Sequence, residues 1–337
     1  MKILVTGGSG FIGRNFISYL LKKKIKVLNV DKITYASKAF NFNLKKNKYY
    51  FFHKTDINNL KQINHLLNDF KPDKIIHLAA ESHVDNSIIN SKEFINSNIL
   101  GTYNFLQESL KFWEKIPNLK KKKFVFHHVS TDEVFGFLKI KDLPFDENSN
   151  YNPSSPYSSS KASSDFLVRS WNKTYGLPVV ITNSSNNYGP WQHPEKFIPK
   201  IILCCITKTK IPIYGKGNQI RDWIHVSDHV SALYKVLFSN NYGKTYNIGA
   251  KNERTNIQIA RFICSYFNKL NNDKFDYIKL IEFIKDRPGH DFRYAIDNRK
   301  IIKDLKWLPT IDFENGIRNT VDWYLQQYTL NKIKYRI

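Results

Sequence analysis

Residues 3–13, ILVTGGSGFIG, decide the fold that this sequence of 337 residues predicts. The short apolar run predicts a buried β-strand, and the amphipathic segment after it predicts an α-helix. Gly7, Gly10 and Gly13 lie in the turn between the two. Glycines let a ligand approach the backbone there, and the N–H groups and dipole of the helix start favour a negatively charged group. The pattern therefore predicts a phosphate-binding turn.

The alternation of strand and helix patterns continues through the first half of the chain. Short, continuously apolar runs recur at residues 25–31 (IKVLNVD), 73–80 (DKIIHLAA), 123–130 (KFVFHHVS) and 178–183 (PVVITN). Such runs are typical of parallel strands that helices cover on both faces. We therefore predict an α/β fold with a Rossmann-type, doubly wound parallel sheet.

The second strand predicts which dinucleotide binds. It ends at Asp31, close to the offset of about 20 residues at which a carboxylate meets the ribose hydroxyls of a dinucleotide. Asp31 would repel a 2′-phosphate, so NAD is favoured over NADP. Asp56 follows the third strand, where it could face the adenine or serve as the N-cap of the next helix.

The pattern changes after residue 186, where it becomes mixed and richer in Pro and Gly. This change predicts a smaller C-terminal substrate-binding lobe over the carboxyl edge of the sheet. We expect an NAD-binding domain over residues 1–185, to which later segments near 220–250 return. The interleaved lobe would cover residues 186–337.

Composition excludes several classes of protein. A hydrophobic content of 42% supports a large core, so the chain is not a disordered one. No apolar run approaches the roughly 20 residues of a membrane span, and the start MKILVTGG enters a strand instead of a signal sequence. We expect a soluble cytoplasmic protein with no membrane partner. Cys204, Cys205 and Cys264 offer neither a disulfide framework nor a metal-ligand set, so we expect buried thiols and no metal.

The formal charge of +23 raises the question of nucleic-acid binding. Lysines are spread along the whole chain and do not form one patch, and the sequence is also rich in Asn and Ile. We therefore predict no nucleic-acid partner. The positive field would still attract a small molecule that carries a diphosphate.

Tyr157 and Lys161 are separated by one helical turn, which places a phenol and an ammonium on one helix face. A nearby cation favours the phenolate, so the spacing predicts a lowered tyrosine pKa and a general base. Together with the glycine turn and with Thr131 at a strand end, the pair resembles the signature of the extended short-chain dehydrogenase/reductases.

Further motifs run in order through nearly the whole chain: HLAAESHVD, STDEV, SSPYSSSKASSD, TNSSNNYGP, PEKFIP, PIYGKG, QIRDW, YNIG and DRPGHDFRYAID. Together they resemble the dTDP-glucose 4,6-dehydratase family. The resemblance implies oxidation at C4 by a retained NAD, elimination of water across C5 and C6, and return of hydride to C6. It also implies that Asp132 is the acid and Glu133 the base of the elimination, a pairing that needs one carboxyl protonated and the other ionised. The alternative for this pair is a helix N-terminus that favours acidic residues.

The resemblance extends to individual binding residues. For NAD it implies Gly7, Gly10, Phe11, Ile12, Gly13, Asp31, Lys32, Thr34, Asp56, Ile57, Leu78, Ala79, Ala80, Ser82, Ser97, Tyr157, Lys161 and Asn187. For the sugar nucleotide dTDP-glucose it implies Ser82, Thr131, Asp132, Glu133, Asn186, Lys196, Phe197, Pro212, Tyr214, Arg221, Asn256, Arg287 and His290. It also implies a homodimer in which the segments 98–113 and 157–175 form a four-helix bundle.

The sequence departs from the family pattern at Phe135, where Tyr is usual, at Asn86, where Arg is usual, and at His225, where another aromatic residue is usual. Two alternatives to the dehydratase stay open from sequence. One is another nucleotide-sugar enzyme on the same scaffold, such as a 4-epimerase. The other is a non-catalytic, dinucleotide-bound module whose basic surface binds nucleic acid.

Overall fold

A parallel sheet forms the centre of the molecule. The structure, a computed structural model, describes residues 1–38, 44, 47–270, 274–286 and 289–330. Within these residues, seven strands pair in the order β3-β2-β1-β4-β5-β6-β10, and every pair is parallel. The strands of the sheet are β1 (Lys2–Thr6), β2 (Lys26–Asp31), β3 (Tyr50–Lys54), β4 (Lys74–His77), β5 (Phe126–Thr131), β6 (Val179–Ser184) and β10 (Thr245–Ile248). The predicted doubly wound sheet is confirmed.

Helices cover the sheet on both faces and also build the second lobe. Their bounds are α1 (Phe11–Lys22), α2 (Tyr35–Lys38), α3 (Leu60–Phe70), α4 (Val84–Ile89), α5 (Ser91–Phe94), α6 (Gly101–Lys115), α7 (Asn118–Lys121), α8 (Pro156–Tyr175), α9 (Phe197–Thr207), α10 (Val226–Leu237), α11 (Asn256–Leu270), α12 (Arg299–Leu305) and α13 (Phe313–Thr329). A π-helical segment, Ile95–Leu100, leads into α6, and two short 3₁₀ helices span Asp132–Phe135 and Tyr277–Leu280.

Two apolar layers explain why the strands are hydrophobic on both faces. One layer packs α1, α10 and α12 on the sheet, with Phe16 and Leu233 fully buried. The other packs α3, α6 and α8, with Leu67, Phe105 and Val168 fully buried. Since neither face meets water, the alternation of apolar and polar residues that marks half-exposed strands is missing from β1, β4 and β5.

A second lobe follows β6 and has its own core. Its strands are β7 (Asn186–Tyr188), β8 (Ile211–Tyr214), β9 (Ile220–His225), β11 (Glu253–Thr255) and β12 (Ile281–Ile284), which form one three-stranded and one two-stranded sheet. Helices α9, α11 and α13 enclose this core, which contains the three free, buried cysteines. Helix α10 and strand β10 join the first lobe. The domain boundary at residues 185 and 186 stays a prediction.

Among the residues that the structure describes, no helix is long and apolar enough to cross a membrane.

Candidate active site

A cleft opens at the carboxyl ends of β1 and β4, where the strand order of the sheet reverses. It encloses about 340 Å³. All the residues that the sequence predicts to bind NAD line this cleft, from Gly7 after β1 to Asn187 on β7. The structure thus brings residues from both lobes into one cavity, and their contact with NAD stays a prediction.

The turn after β1 requires glycine for two reasons. Gly7 has a backbone φ of +67°, a left-handed conformation that side chains disfavour, and a Cβ there would lie 2.6 Å from the backbone nitrogen of Ala79. A Cβ at Gly13 would overlap the carbonyl oxygen of Gly7. The turn therefore packs directly against the segment after β4, and the first residues of α1 line the cleft. This glycine cradle fits a pyrophosphate.

Asp31, at the end of β2, lies beside the glycine turn. Its carboxylate oxygens accept hydrogen bonds from the backbone N–H groups of Ser9 at 3.0 Å and Ile33 at 2.7 Å. Burial raises the pKa of Asp31, although these two N–H groups and the charges of Arg14 and Lys32 act in the opposite direction. A carboxylate held here has lone pairs left for ribose hydroxyls. The residues present therefore fit NAD.

The structure excludes one of the two roles left open for Asp56. Helix α3 begins at Leu60 and its N-cap is Asn59, whose side chain accepts the Gln62 N–H. The predicted alternative of an Asp56 N-cap is therefore wrong, because the helix begins too far along the chain. Asp56 lines the cleft, and its carboxylate lies 3.9 Å from Lys32 Nζ.

Helix α8 carries the predicted catalytic pair. A capping box defines its start: Ser155 Oγ accepts the N–H of Ser158 at 3.1 Å, and Ser158 Oγ accepts the N–H of Ser155 at 3.0 Å. Tyr157 and Lys161 follow one turn apart, and both are buried at the cleft. Lys161 Nζ donates to the carbonyl oxygen of Val129 at 2.9 Å. The predicted shared face of the helix is confirmed.

The pKa of Tyr157 differs from the prediction that Lys161 lowers it. Burial and the charge of Glu133 raise this pKa above its ordinary value, while a hydrogen bond with Thr131 acts in the opposite direction. Burial also lowers the pKa of Lys161 to about 8, against the opposing effect of Asp165. Burial and the nearby carboxyl groups therefore dominate the pKa of Tyr157, an effect that residue spacing does not reveal.

Asp132 and Glu133 follow β5 directly and form the start of a 3₁₀ helix. Thr131 is the N-cap: its Oγ1 accepts the N–H of Glu133 at 3.3 Å and lies 3.3 Å from Asp132 Oδ1, to which it donates. All three residues also line the cleft. The helix-cap arrangement considered from sequence is therefore present, and it positions the two carboxyl groups at the cavity.

The environments of the two carboxyl groups differ. Asp132 is 2% exposed, and its Oδ2 has no hydrogen-bond partner among the described residues. Burial, Glu133 and Asp222 raise the pKa of Asp132 well above its ordinary value, against Arg221 and Thr131. Glu133 is only half-buried. The site thus favours a protonated carboxyl at Asp132 next to a more accessible carboxyl group.

The residues predicted to bind the sugar nucleotide fall into two groups. Ser82, Asn186 and Lys196 line the cleft with the catalytic residues, and Lys196 Nζ donates to the carbonyl oxygen of Ser82 at 2.9 Å. Others lie on the second lobe outside the lining of the cleft: Phe197, Pro212, Tyr214, Arg221, Asn256 and His290. Arg287 lies outside the described residues.

Arg221 borders the catalytic carboxyl groups from the second lobe. Its guanidinium donates to the carbonyl oxygen of Asp291 at 2.9 Å and lies 4.4 Å from the centre of the Tyr294 ring. Its charge lowers the pKa of Asp132, so the two groups are electrostatically coupled. The contacts with backbone carbonyl oxygens and an aromatic ring hold the guanidinium in one orientation.

The other residues of this group lie further along the second lobe. The rings of Tyr214 and His290 are 6.0 Å apart. Phe197 stacks on Trp223, with ring centres 6.2 Å apart. Pro212 lies in β8, and Asn256 is the first residue of α11.

Several cleft residues were missed from sequence. Tyr35 donates to Glu195 Oε1 at 3.1 Å, and His193 Nδ1 lies 3.4 Å from the same oxygen. Glu81, 3.5 Å from Lys32 Nζ, follows the HLAA run after β4, where a cleft position could have been expected. Nothing in the sequence around Tyr35, His193 and Glu195 indicated that these three residues meet.

Known proteins resemble this chain over nearly its whole length. The family model described as GDP-mannose 4,6 dehydratase matches residues 4–320. The dTDP-glucose 4,6-dehydratase of Haemophilus influenzae is 49% identical over 96% of this chain and 98% of its own length. The crystal structure of DesIV, a dTDP-glucose 4,6-dehydratase from Streptomyces venezuelae with NAD bound, has a TM-score of 0.87 at 34% identity, with 98% of both chains covered. The Bacillus anthracis dTDP-glucose 4,6-dehydratase in complex with NAD has a TM-score of 0.84 at 38% identity over 98% of both chains.

Proposed function

This chain belongs to the dTDP-glucose 4,6-dehydratase family, and we propose that the cleft is its active site. The enzyme is an NAD-dependent hydro-lyase that forms dTDP-4-keto-6-deoxyglucose from dTDP-glucose. The proposed catalytic residues are Thr131, Asp132, Glu133, Tyr157 and Lys161.

Tyr157 takes the proton of the C4 hydroxyl. Because burial raises the pKa of Tyr157, the phenolate that takes this proton is the minor form and needs a neighbouring positive charge, which Lys161 supplies from one turn further along α8. The pKa of Lys161, about 8, leaves its ammonium protonated at neutral pH. Thr131 lies at the cleft with Tyr157, and its interaction with the phenol opposes the rise of the Tyr157 pKa. NAD held by the glycine turn and Asp31 would supply the hydride acceptor for C4 and the hydride donor for C6, and C5 would gain a proton when the hydride returns.

Asp132 and Glu133 then eliminate water. The ketone at C4 acidifies the C5 proton, which the half-buried Glu133 removes, while Asp132 protonates the departing C6 hydroxyl. Two features support this division: burial and Glu133 raise the pKa of Asp132, and Asp132 Oδ2 has no hydrogen-bond partner among the described residues, so a substrate hydroxyl can occupy that position.

The observation that carries the proposal is the presence of both pairs in one cavity. Tyr157 and Lys161 suffice for oxidation at C4, which a 4-epimerase also performs. Only a dehydration also needs a buried acid next to a second carboxyl group, as at Asp132 and Glu133.

The second lobe is the proposed binding region for the nucleotide. Arg221 suits the diphosphate because its planar guanidinium can donate two parallel hydrogen bonds. Arg287, which the family resemblance also implies as a contact of the sugar nucleotide, lies outside the described residues. Pro212 and Tyr214 are proposed to flank the base, with Asn256 and His290 as further polar contacts.

We also propose a homodimer that pairs α6 and α8 with their copies. These two helices pack on the same face of the sheet and expose Tyr103 and Phe166, of which Phe166 is 55% exposed. Apolar side chains on adjacent helices favour a protein partner, and a second copy would bury them. A cytoplasmic location is consistent with the three free cysteines.

Product analysis tests the proposed function. Purified protein is incubated with dTDP-glucose, and a product smaller by one water is expected by mass spectrometry. Tyr157→Phe and Lys161→Met are the controls and should abolish it. A product of unchanged mass that contains dTDP-galactose would indicate a 4-epimerase and contradict the proposal.

A further inference from the structure

We propose that Asp165 is a positioning residue that keeps Lys161 as an ammonium beneath Tyr157, an inference that rests on the proposed roles of that pair. Tyr157, Lys161 and Asp165 occupy successive turns of α8, and the spacing of four residues places them on one helix face. All three are buried, and Asp165 is completely so. A carboxylate so far from water requires specific partners.

Hydrogen bonds hold the Asp165 carboxylate in its ionised form. Its Oδ2 accepts from Ser130 Oγ at 2.9 Å, from Tyr151 OH at 2.8 Å and from Asn183 Nδ2 at 3.3 Å. Burial alone would raise the pKa of Asp165, but His128, Lys161 and Ser130 lower it below its ordinary value. The donors come from β5, from β6 and from the segment before α8, so the position of the carboxylate is fixed by three parts of the fold.

His128 lies between the two charges. Its Nε2 is 3.2 Å from Asp165 Oδ1 and 3.5 Å from Lys161 Nζ. Burial and the charge of Lys161 lower the pKa of His128 to about 4, so the imidazole is neutral at physiological pH. Lys161 and Asp165 are therefore the two charges of this buried cluster, and His128 fills the space between them.

The other titratable groups near Lys161 do not replace Asp165. His77 on β4 is fully buried, and burial with His128 and Lys161 lowers its pKa well below the ordinary value, so it is neutral. Tyr157 lies on the same helix, and Asp132 and Glu133 follow β5 at the cleft. Asp165 is the group whose charge raises the pKa of Lys161 against its burial.

A purely structural role would not need this charge. Replacing a buried ion pair by apolar residues of similar volume is often neutral or stabilising, so a buried carboxylate is weak support for stability. Next to a catalytic lysine, however, a buried carboxylate affects whether the lysine keeps its proton. Loss of the Lys161 proton would leave a Tyr157 phenolate without a cation, and Asp165 opposes that loss.

Asp165→Asn tests the proposal, because it removes the charge and keeps the shape. In single-turnover experiments with dTDP-glucose, the rate of cofactor reduction should decline at high pH as Lys161 loses its proton. In the Asp165→Asn protein this decline should begin about one pH unit lower, the lower end of the shift that a nearby opposite charge produces. Tyr151→Phe is the matched control: it removes one hydrogen bond to the same carboxylate but keeps the charge, so its profile should match the parent's.

A slower Asp165→Asn enzyme with an unshifted profile, or an equal shift in Tyr151→Phe, would overturn the proposal. If Asp165→Asn does not fold, the double variant Lys161→Met/Asp165→Asn decides. Lys161→Met alone leaves a buried carboxylate without its cation, so the double variant should unfold at a higher temperature than Lys161→Met. If the double variant unfolds at the same temperature as Lys161→Met, or at a lower one, the coupling between Asp165 and Lys161 is contradicted. Because this measurement needs no turnover, it separates a failure of this inference from a failure of the proposed function.

Discussion

Asp132→Asn should separate catalysis from stability. Asparagine keeps the shape of the side chain but cannot donate the acidic proton. Loss of a general acid typically costs about 10² to 10⁴ in rate. Since Asp132 is only 2% exposed, bulk water cannot take over the donation, and we expect the upper half of this range, about 10³ to 10⁴. Oxidation at C4 should suffer less, because Tyr157 and Lys161 are unchanged.

The same variant should be more stable than the parent at neutral pH. Burial, Glu133 and Asp222 raise the pKa of Asp132, so the folded protein binds this proton more tightly than the unfolded chain does. Stability therefore falls as pH rises from the unfolded pKa through the folded one. Asparagine does not ionise, so it avoids this loss of stability. The gain in stability over the parent should be present at neutral pH and vanish near pH 4 and below, where an unfolded Asp is protonated.

Single-turnover spectroscopy with dTDP-glucose provides the assay. In Asp132→Asn, reduced nicotinamide should accumulate and the C5 proton should still exchange with solvent, while loss of the C6 hydroxyl is slow. Glu133→Gln is the matched control and should suppress the C5 exchange. Thermal unfolding at pH 4 and pH 7.5 measures the stability difference. If both variants dehydrate the substrate at the parent rate, the pair is only a helix cap and its catalytic assignment is refuted.

Three further outcomes follow from the site and the surface. NAD, and not NADP, should copurify with the protein, and Asp31→Ala should weaken its retention because the ribose acceptor is lost; NADP as the predominant nucleotide in the released fraction would contradict this. Sedimentation should give a dimer at micromolar concentration, and Phe166→Glu on α8 should weaken it, whereas a monomeric parent would refute the proposed interface. Cofactor reduction in the parent should decline above about pH 8, where Lys161 loses its proton; a rate that keeps rising beyond pH 9 would argue against an essential ammonium.

The sheet and the glycine turn could be predicted because their causes are local. Continuous apolar runs imply strands covered on both faces, and the close approach of Gly7 to Ala79 explains why the turn lacks side chains. The catalytic pair on α8 was also accessible, since helical spacing alone places Tyr157 and Lys161 on one face. Asp165 continues that spacing by one turn and could have been recognised in the same way.

Other features depend on burial and on distant contacts, which spacing does not contain. The direction of the Tyr157 pKa shift was predicted wrongly, because burial and the nearby charge of Glu133 raise this pKa. The N-cap alternative for Asp56 stayed open in the sequence because Asp56 and Asn59 are both good capping residues, and only the folded chain shows where the helix starts. The meeting of Tyr35 with Glu195 joins residues 160 positions apart.

The residues at the three departures from the family pattern each make a specific contact in the structure. Phe135 stacks on Phe145, with ring centres 5.3 Å apart, so an apolar contact occupies this position. Asn86 donates to Tyr35 OH at 3.0 Å. His225 is the N-cap of α10 and contacts the Tyr188 ring edge-on. None of the three belongs to the proposed catalytic set.

The fate of deuterium placed at C4 of dTDP-glucose tests the central claim most directly, because it follows the oxidation, the elimination and the return of hydride in one experiment. Turnover in ordinary water should give dTDP-4-keto-6-deoxyglucose with the deuterium at C6 and a solvent proton at C5. The NAD should stay bound and oxidised at the end. Deuterium that is lost to water, or that remains at C4 of a product with unchanged mass, would contradict the account.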